Sequence, residues 1–141
     1  MPKPILIKGG SFSDERGLLL YNNDFDATEI KRMYIIKNKS PELIRGWQGH
    51  KIEQRWFSVI CGEFLIKLLA VDNWESPSKD LEVMEFQISA SNMSVLHVPA
   101  GYISSIQSTK ENAKLLVMSD YLLGSIKDEY RYDIKYFEDI N

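Results

Sequence analysis

The sequence predicts an all-β chain, a sandwich or barrel, on three observations. Apolar residues mostly alternate or gather in short runs; Gly, Pro, Asn and Asp cut those runs; and stretches of helical period are few. A strand around ILIKG (5–9) opens the chain, and KRMYIIKN (31–38) gives another. RGWQGHK (45–51) holds two glycines and alternates across the faces of a strand. QRWFSVI (54–60), the tight turn Cys61-Gly62-Glu63 and FLIKLLAV (64–71) read as an antiparallel hairpin. DNWESPSKD (72–80), rich in turn formers and charges, is a loop. In LEVMEFQIS (81–89), Met84, Phe86 and Ile88 share one face and Val83, Glu85 and Gln87 the other, as in a half-buried strand. SVLHVPAGY (94–102) runs into a Pro-x-Gly turn, and AKLLVMSDY (113–121) is a further strand. The tail IKDEYRYDIKYFEDI (126–140) reads as a short helix or an extended segment that packs its aromatics.

With 141 residues the chain is expected to form one domain, 1–141, large enough to close a core without disulfides. Its residues are 44% hydrophobic and 26% charged, with signs interspersed and a net charge of -3. That balance argues against a nucleic-acid-binding face, which needs clustered basic residues to neutralise phosphates. A single cysteine, Cys61, permits neither an intrachain disulfide nor a cysteine-based zinc site. No apolar run is long enough to span a bilayer, and MPKPILIKGGSF lacks the apolar core of a signal peptide. No membrane partner is expected, and a cytoplasmic location is the default.

The chemistry concentrates in RGWQGHK. By the period of two, Gln48 and His50 face the same side of the strand. His50 has the ordinary pKa range of a general acid or base, or else it serves as a hydrogen-bonding group in a pocket. Gln48 can hydrogen-bond a carbonyl or hydroxyl but cannot act as a base. The guanidinium fork of Arg16, Arg45 or Arg131 suits a diphosphate, against the alternative of surface ion pairs. Trp47, Trp56, Tyr34 and Tyr102 either stack on a ligand or belong to the core or an interface. Trp74 is a candidate interface anchor, and His97 is read as a satisfied structural histidine.

The ordered set RGxxxHKxxxQ, CGEFLIKL, LHVPAGY and SDY resembles the cupin superfamily, in its nucleotide-sugar branch. The resemblance extends from DERGLLL at Asp14 to DEYRYDIKYF, almost the whole chain. It implies a cupin jelly-roll barrel, also called a double-stranded β-helix. The closer likeness is to the dTDP-4-keto-6-deoxyglucose 3,4-ketoisomerases (WxcM-like), whose RGxHAHK reads RGWQGHK here and whose KRVYYI reads KRMYII. The more distant one is to dTDP-4-dehydrorhamnose 3,5-epimerase (RmlC-like), whose catalytic lysine and tyrosine match Trp56 and Val117.

The resemblance implies metal-independent isomerisation of a dTDP-linked 4-keto-6-deoxyhexose, in deoxysugar and surface polysaccharide biosynthesis. Catalytic roles fall to His50 as base, Tyr34 as proton donor or orienter, and Gln48 as a carbonyl or hydroxyl contact. Substrate binding falls to Arg16, Arg45, Lys51, Gln54, Tyr102 and Arg131. Metal-binding cupins place ligands where this chain has Gln48, His50, Gln54 and Ser104, so neither a metal nor another cofactor is expected. The partners implied are a sugar nucleotide and a second copy of the chain, through exchange of N-terminal strands. Because Gln48 stands where the first motif histidine belongs, a non-catalytic sugar-nucleotide or carbohydrate binder is an alternative, and a 3,5-epimerase is another.

Overall fold

The computed structural model describes residues 2–137. Its strands are β1 (Ile5–Ile7), β2 (Gly10–Asp14), β3 (Gly17–Tyr21), β4 (Arg32–Ile36), β5 (Ile44–His50) and β6 (Arg55–Cys61). The remainder are β7 (Glu63–Ala70), β8 (Met84–Ser89), β9 (Val95–Val98), β10 (Tyr102–Ser108), β11 (Lys114–Ser119) and β12 (Tyr130–Arg131), followed by one 3-10 turn at Ile134–Phe137. Two antiparallel five-stranded sheets form the sandwich, in the orders β1-β9-β6-β11-β4 and β12-β5-β10-β7-β8. Strands β2 and β3 form a separate hairpin around the DERG turn.

The core lies between the facing sheets. Phe57 and Val59 of β6 meet Phe64, Ile66 and Leu68 of β7, with Leu96, Val98, Ile106, Leu115 and Val117 around them. Met84, Phe86 and Ile88 of β8 turn toward this same core, the face their alternation assigns to them. Each fully buried Leu, Ile or Phe contributes roughly 1.5–3 kcal/mol of transfer free energy, so this layer dominates the stability of the sandwich.

One element differs from expectation. β6 and β7 are joined by a tight turn but are not paired. β6 lies between β9 and β11, whereas β7 lies between β10 and β8. Both strands already have two neighbours, so Cys61-Gly62-Glu63 is a corner that passes the chain from one sheet to the other. Gly62 sits at φ +78, in the left-handed region that glycine enters without a Cβ clash.

A second apolar cluster lies on the outer face of β5. Trp47, Leu69 and Ile103 pack there against Phe137, with Trp74, Tyr132 and Tyr136 at its margin. The C-terminal segment is thus an extended strand and a 3-10 turn that pack their aromatics; residues 138–140 of the predicted tail lie outside the described residues.

Candidate functional site

The interior of the sandwich opens at one end into a cavity, roughly 490 Å³ when counted out to its mouth. Its polar lining comes from four strands: Tyr34 on β4, Arg45, Gln48 and His50 on β5, Arg55 on β6, and Tyr102 and Ser104 on β10. Ile36, Phe57, Val98 and Ile106 supply an apolar floor. An apolar cleft with a few convergent polar groups is the usual form of a small-ligand site.

Strand β5 reaches this position because two glycines let it lie close against β10. A Cβ on Gly49 would stand 2.1 Å from the carbonyl oxygen of Tyr102, and one on Gly46 would stand 2.8 Å from the Cα of Ser105. The pairing of the two strands shifts register between Ser104 and Ile106, opposite the stretch between Gln48 and Arg45. This irregularity brings Arg45 to the cavity together with Gln48 and His50, although strict alternation from Gln48 would turn position 45 away.

His50 is 8% exposed and both its ring nitrogens are bonded. An arginine can only donate, so the 2.8 Å contact between Arg55 Nη2 and His50 Nε2 makes Nε2 the acceptor. Nδ1 therefore carries the proton and donates it to the carbonyl oxygen of Asp128 at 2.9 Å, with Glu53 Oε2 at 3.3 Å. Burial holds the imidazole below its ordinary pKa of 6.5, and the Arg55 charge pushes the same way; Glu53 and Asp128 partly offset them. His50 is accordingly a neutral imidazole of defined tautomer.

Arg55 is itself clamped. Nη1 donates to Glu53 Oε1 at 3.1 Å and to Ser119 Oγ at 2.6 Å, and Ser119 Oγ in turn donates to Glu53 Oε1 at 2.9 Å. Arg55 and Glu53 are 7% and 9% exposed, an ion pair whose desolvation is met by this network. Asp128 fixes the chain that leaves β5: its carboxylate accepts from the backbone N–H groups of Lys51, Ile52 and Glu53 at 3.0, 2.8 and 2.8 Å.

His50, Glu53 and Asp128 bring ligand-type atoms within 4.8 Å of one another. Each is already committed to a proton donor or acceptor of the protein, and the guanidinium of Arg55 supplies positive charge among them. This donor set is arranged for an internal cation, the arginine, rather than for a metal ion.

Of the residues singled out from the sequence, Tyr34, Arg45, Gln48, His50 and Tyr102 meet in the cavity. Gln48 donates from Nε2 to Glu129 Oε1 at 2.5 Å, and Arg45 is steadied by a 3.3 Å bond from Nε to Asn38 Oδ1. The Tyr102 hydroxyl donates to the Pro2 carbonyl at 2.8 Å.

The other four lie elsewhere. Gln54 turns to the outer face of its sheet, where its amide bonds Asp120, Glu29 and His97. Lys51 is exposed, and its backbone N–H is held by Asp128. Arg131 is exposed and pairs with Glu129 at 3.2 Å, opposite Gln48 in the β12–β5 register. Arg16 sits on the β2–β3 turn, paired with Asp14 at 2.7 Å and lining no part of this cavity. His97 is structural, stacked on Trp56 with 4.8 Å between ring centroids and bonded to Gln54. Trp74 packs against Tyr130 of its own chain.

Sequence reasoning missed Arg55, Glu53 and Asp128. Parity carried a signal for the first: Phe57 and Val59 face the core, so Arg55 shares their face and Gln54 does not.

No family model matches the chain, and no curated protein matches it. Solved structures do. A single-site mutant of the 3,4-ketoisomerase QdtA from Thermoanaerobacterium thermosaccharolyticum, crystallised with TDP-4-keto-6-deoxyglucose, superposes with a TM-score of 0.72 at 20% identity over 99% of this chain and 94% of that one. The TDP-quinovose 3,4-ketoisomerase WlaRB from Campylobacter jejuni gives 0.71 at 21% identity, over 98% and 99%. The rmlC epimerase from Mycobacterium tuberculosis gives 0.74 at 11% identity, over 95% and 70%. The likeness is one of fold: the chain shares the jelly roll of these structures.

Proposed function

We propose that the protein is a 3,4-ketoisomerase acting on a nucleotide-linked 4-keto-6-deoxyhexose, with dTDP as the nucleotide. The observation that carries the reading is His50, a neutral imidazole held in a single tautomer on the wall of a cavity among Tyr34, Gln48 and Tyr102. Keto-isomerisation needs a base beside a ketone and a donor for the oxygen on which charge develops. Nε2 of His50 is that base, and Tyr34, 36% exposed at the mouth, is the donor or orienter. The fold neighbours support this reading because two of them are 3,4-ketoisomerases.

The second reading is a sugar-nucleotide binder without turnover. Gln48, tied to Glu129, favours it, because an amide cannot relay a proton. Incubation with TDP-4-keto-6-deoxyglucose in deuterated water separates the readings. Ketone migration from C4 to C3 with solvent exchange supports the isomerase. Exchange without migration points to an epimerase, and binding without exchange to the binder.

Homodimerisation belongs to the same proposal. The β2–β3 hairpin exposes Phe12, Leu18 and Leu19 at 56%, 65% and 60%, and the edge strand β4 exposes Met33 and Ile35 at 71% and 57%. Such apolar surface calls for cover by a second chain. Arg16 rides on that hairpin away from its own cavity, so a part in phosphate binding would place it at a partner's site. The active protein is proposed to work in the cytoplasm, supplying a deoxysugar for a surface polysaccharide. Among the described residues no helix is long and apolar enough to cross a membrane.

A further inference from the structure

The contact between His50 and Arg55 has a property that the isomerase reading leaves unused. The cavity joins a proton acceptor, His50 Nε2, to a proton donor, Arg55 Nη2, in one 2.8 Å hydrogen bond. Isomerisation requires both kinds of group on neighbouring atoms of the sugar: an acceptor for the proton on C3 and a donor for the oxygen on C4. Both side chains line the cavity, and the rest of each is tethered. His50 is held through Nδ1 by the Asp128 carbonyl, and Arg55 through Nη1 by Glu53 and Ser119.

We propose that Arg55 is a catalytic residue: the keto-sugar splits the His50–Arg55 hydrogen bond, C3–H taking the place of the donor at Nε2 and the C4 carbonyl oxygen taking the place of the acceptor at Nη2. The inference rests on the ketoisomerase reading and adds to it an electrophile that resemblance did not assign. His50 Nε2 removes the C3 proton, the C3–H electron pair becomes the C3=C4 double bond, and the carbonyl π pair moves onto O4. Arg55 receives that charge as an ordinary hydrogen-bond donor and stays protonated. The imidazolium then returns its proton to C4, the O3 hydroxyl proton passes to O4, and the product carries its ketone at C3 and a hydroxyl at C4. No oxidant or reductant is consumed.

Because Arg55 shares one network with Glu53 and Ser119, a purely structural role is the competing explanation. Arg55→Lys keeps the charge but removes the forked donor. It is expected to lower kcat about a hundredfold, the usual effect of losing one preorganised donor to a developing oxyanion. Its KM for TDP-4-keto-6-deoxyglucose and its affinity for TDP should stay within about threefold.

The wild-type protein gives an independent readout that needs no variant. The ¹⁵N resonance of His50 Nε2 should move on addition of TDP-4-keto-6-deoxyglucose and hold its position with TDP alone, because only the keto-sugar displaces Arg55. An unmoved resonance under saturating keto-sugar, a fully active Arg55→Lys, or a wild type that binds the keto-sugar without turning it over each overturns the proposal while sparing nucleotide recognition. Failure of the wild type to bind TDP overturns the nucleotide reading and this inference together.

Discussion

His50 and Asp128 are joined across 78 positions of sequence: the Nδ1 proton of His50 rests on the Asp128 carbonyl oxygen at 2.9 Å. The carboxylate of the same aspartate meanwhile holds the three backbone N–H groups that follow His50. One residue therefore sets both the tautomer of the candidate base and the path of the chain leaving it.

Replacing that carboxylate should be costly. Asp128 is 3% exposed, and Asp128→Ala strands the three backbone donors that its carboxylate holds. A loss of about 3 kcal/mol is expected, as for removal of a buried charged acceptor. Urea denaturation checks it: Asp128→Asn, which keeps one acceptor oxygen, should fall between wild type and the alanine variant.

His50→Gln tests the base directly. An amide keeps a hydrogen-bonding group in the cavity but cannot accept a proton near neutral pH, so deuterium exchange at C3 should vanish while TDP affinity stays within a few-fold. Exchange at the wild-type rate would remove His50 from the mechanism.

Gln48→His asks whether the missing histidine limits the rate. Position 48 lines the same cavity as His50, and a histidine there should raise the isomerisation rate if a second proton carrier was lacking. No gain in kcat would show that the amide is not the bottleneck.

The pH dependence has a definite sign. Burial holds both His50 and His97 below the ordinary value of 6.5 in the folded chain, so the unfolded chain binds protons more readily as pH falls through 6.5. Their contribution to stability is therefore present above pH 6.5 and is progressively lost below it. Thermal melts should show Tm dropping on that side. The acid limb of kcat/KM should likewise lie below 6.5, because His50 stays neutral there; a limb above that value would contradict the environment described for the ring.

Gly49→Ala should be severely destabilising, because the added methyl would have to overlap the Tyr102 carbonyl oxygen and the Ile103 backbone at 2.1 and 2.6 Å. Separation of β5 from β10 would disturb the cavity as well as the fold. Melting temperature and TDP affinity should fall together.

The strands were legible because alternation is a local property. Met84, Phe86 and Ile88, or the pair Gln48 and His50, announce a shared face without knowledge of their neighbours in space. Pairing is not local. QRWFSVI and FLIKLLAV flank a tight turn and look like a hairpin, but competition from β9, β11, β10 and β8 assigns them to different sheets. Five residues that line the cavity stood in motifs read from the sequence, Arg45 among them although the parity of β5 points it away. Asp128 was not legible, because its partners at positions 50–53 lie more than 70 residues away. Gln54 was misplaced by following the motif rather than the alternation of β6, whose inward face belongs to Arg55 and Phe57.

Strand β5 has two occupied sides: Gln48 and His50 look into the cavity, and Trp47, the residue before Gln48, is wholly buried against Phe137 at a ring-centroid distance of 5.5 Å. The indole is thus a built-in optical probe, one residue from the cavity wall and sealed by the C-terminal segment. If that segment lifts, water reaches the ring and its emission moves to longer wavelength. The same event would free the strand that carries the candidate base, so loss of activity and a red shift in fluorescence should keep the same time course.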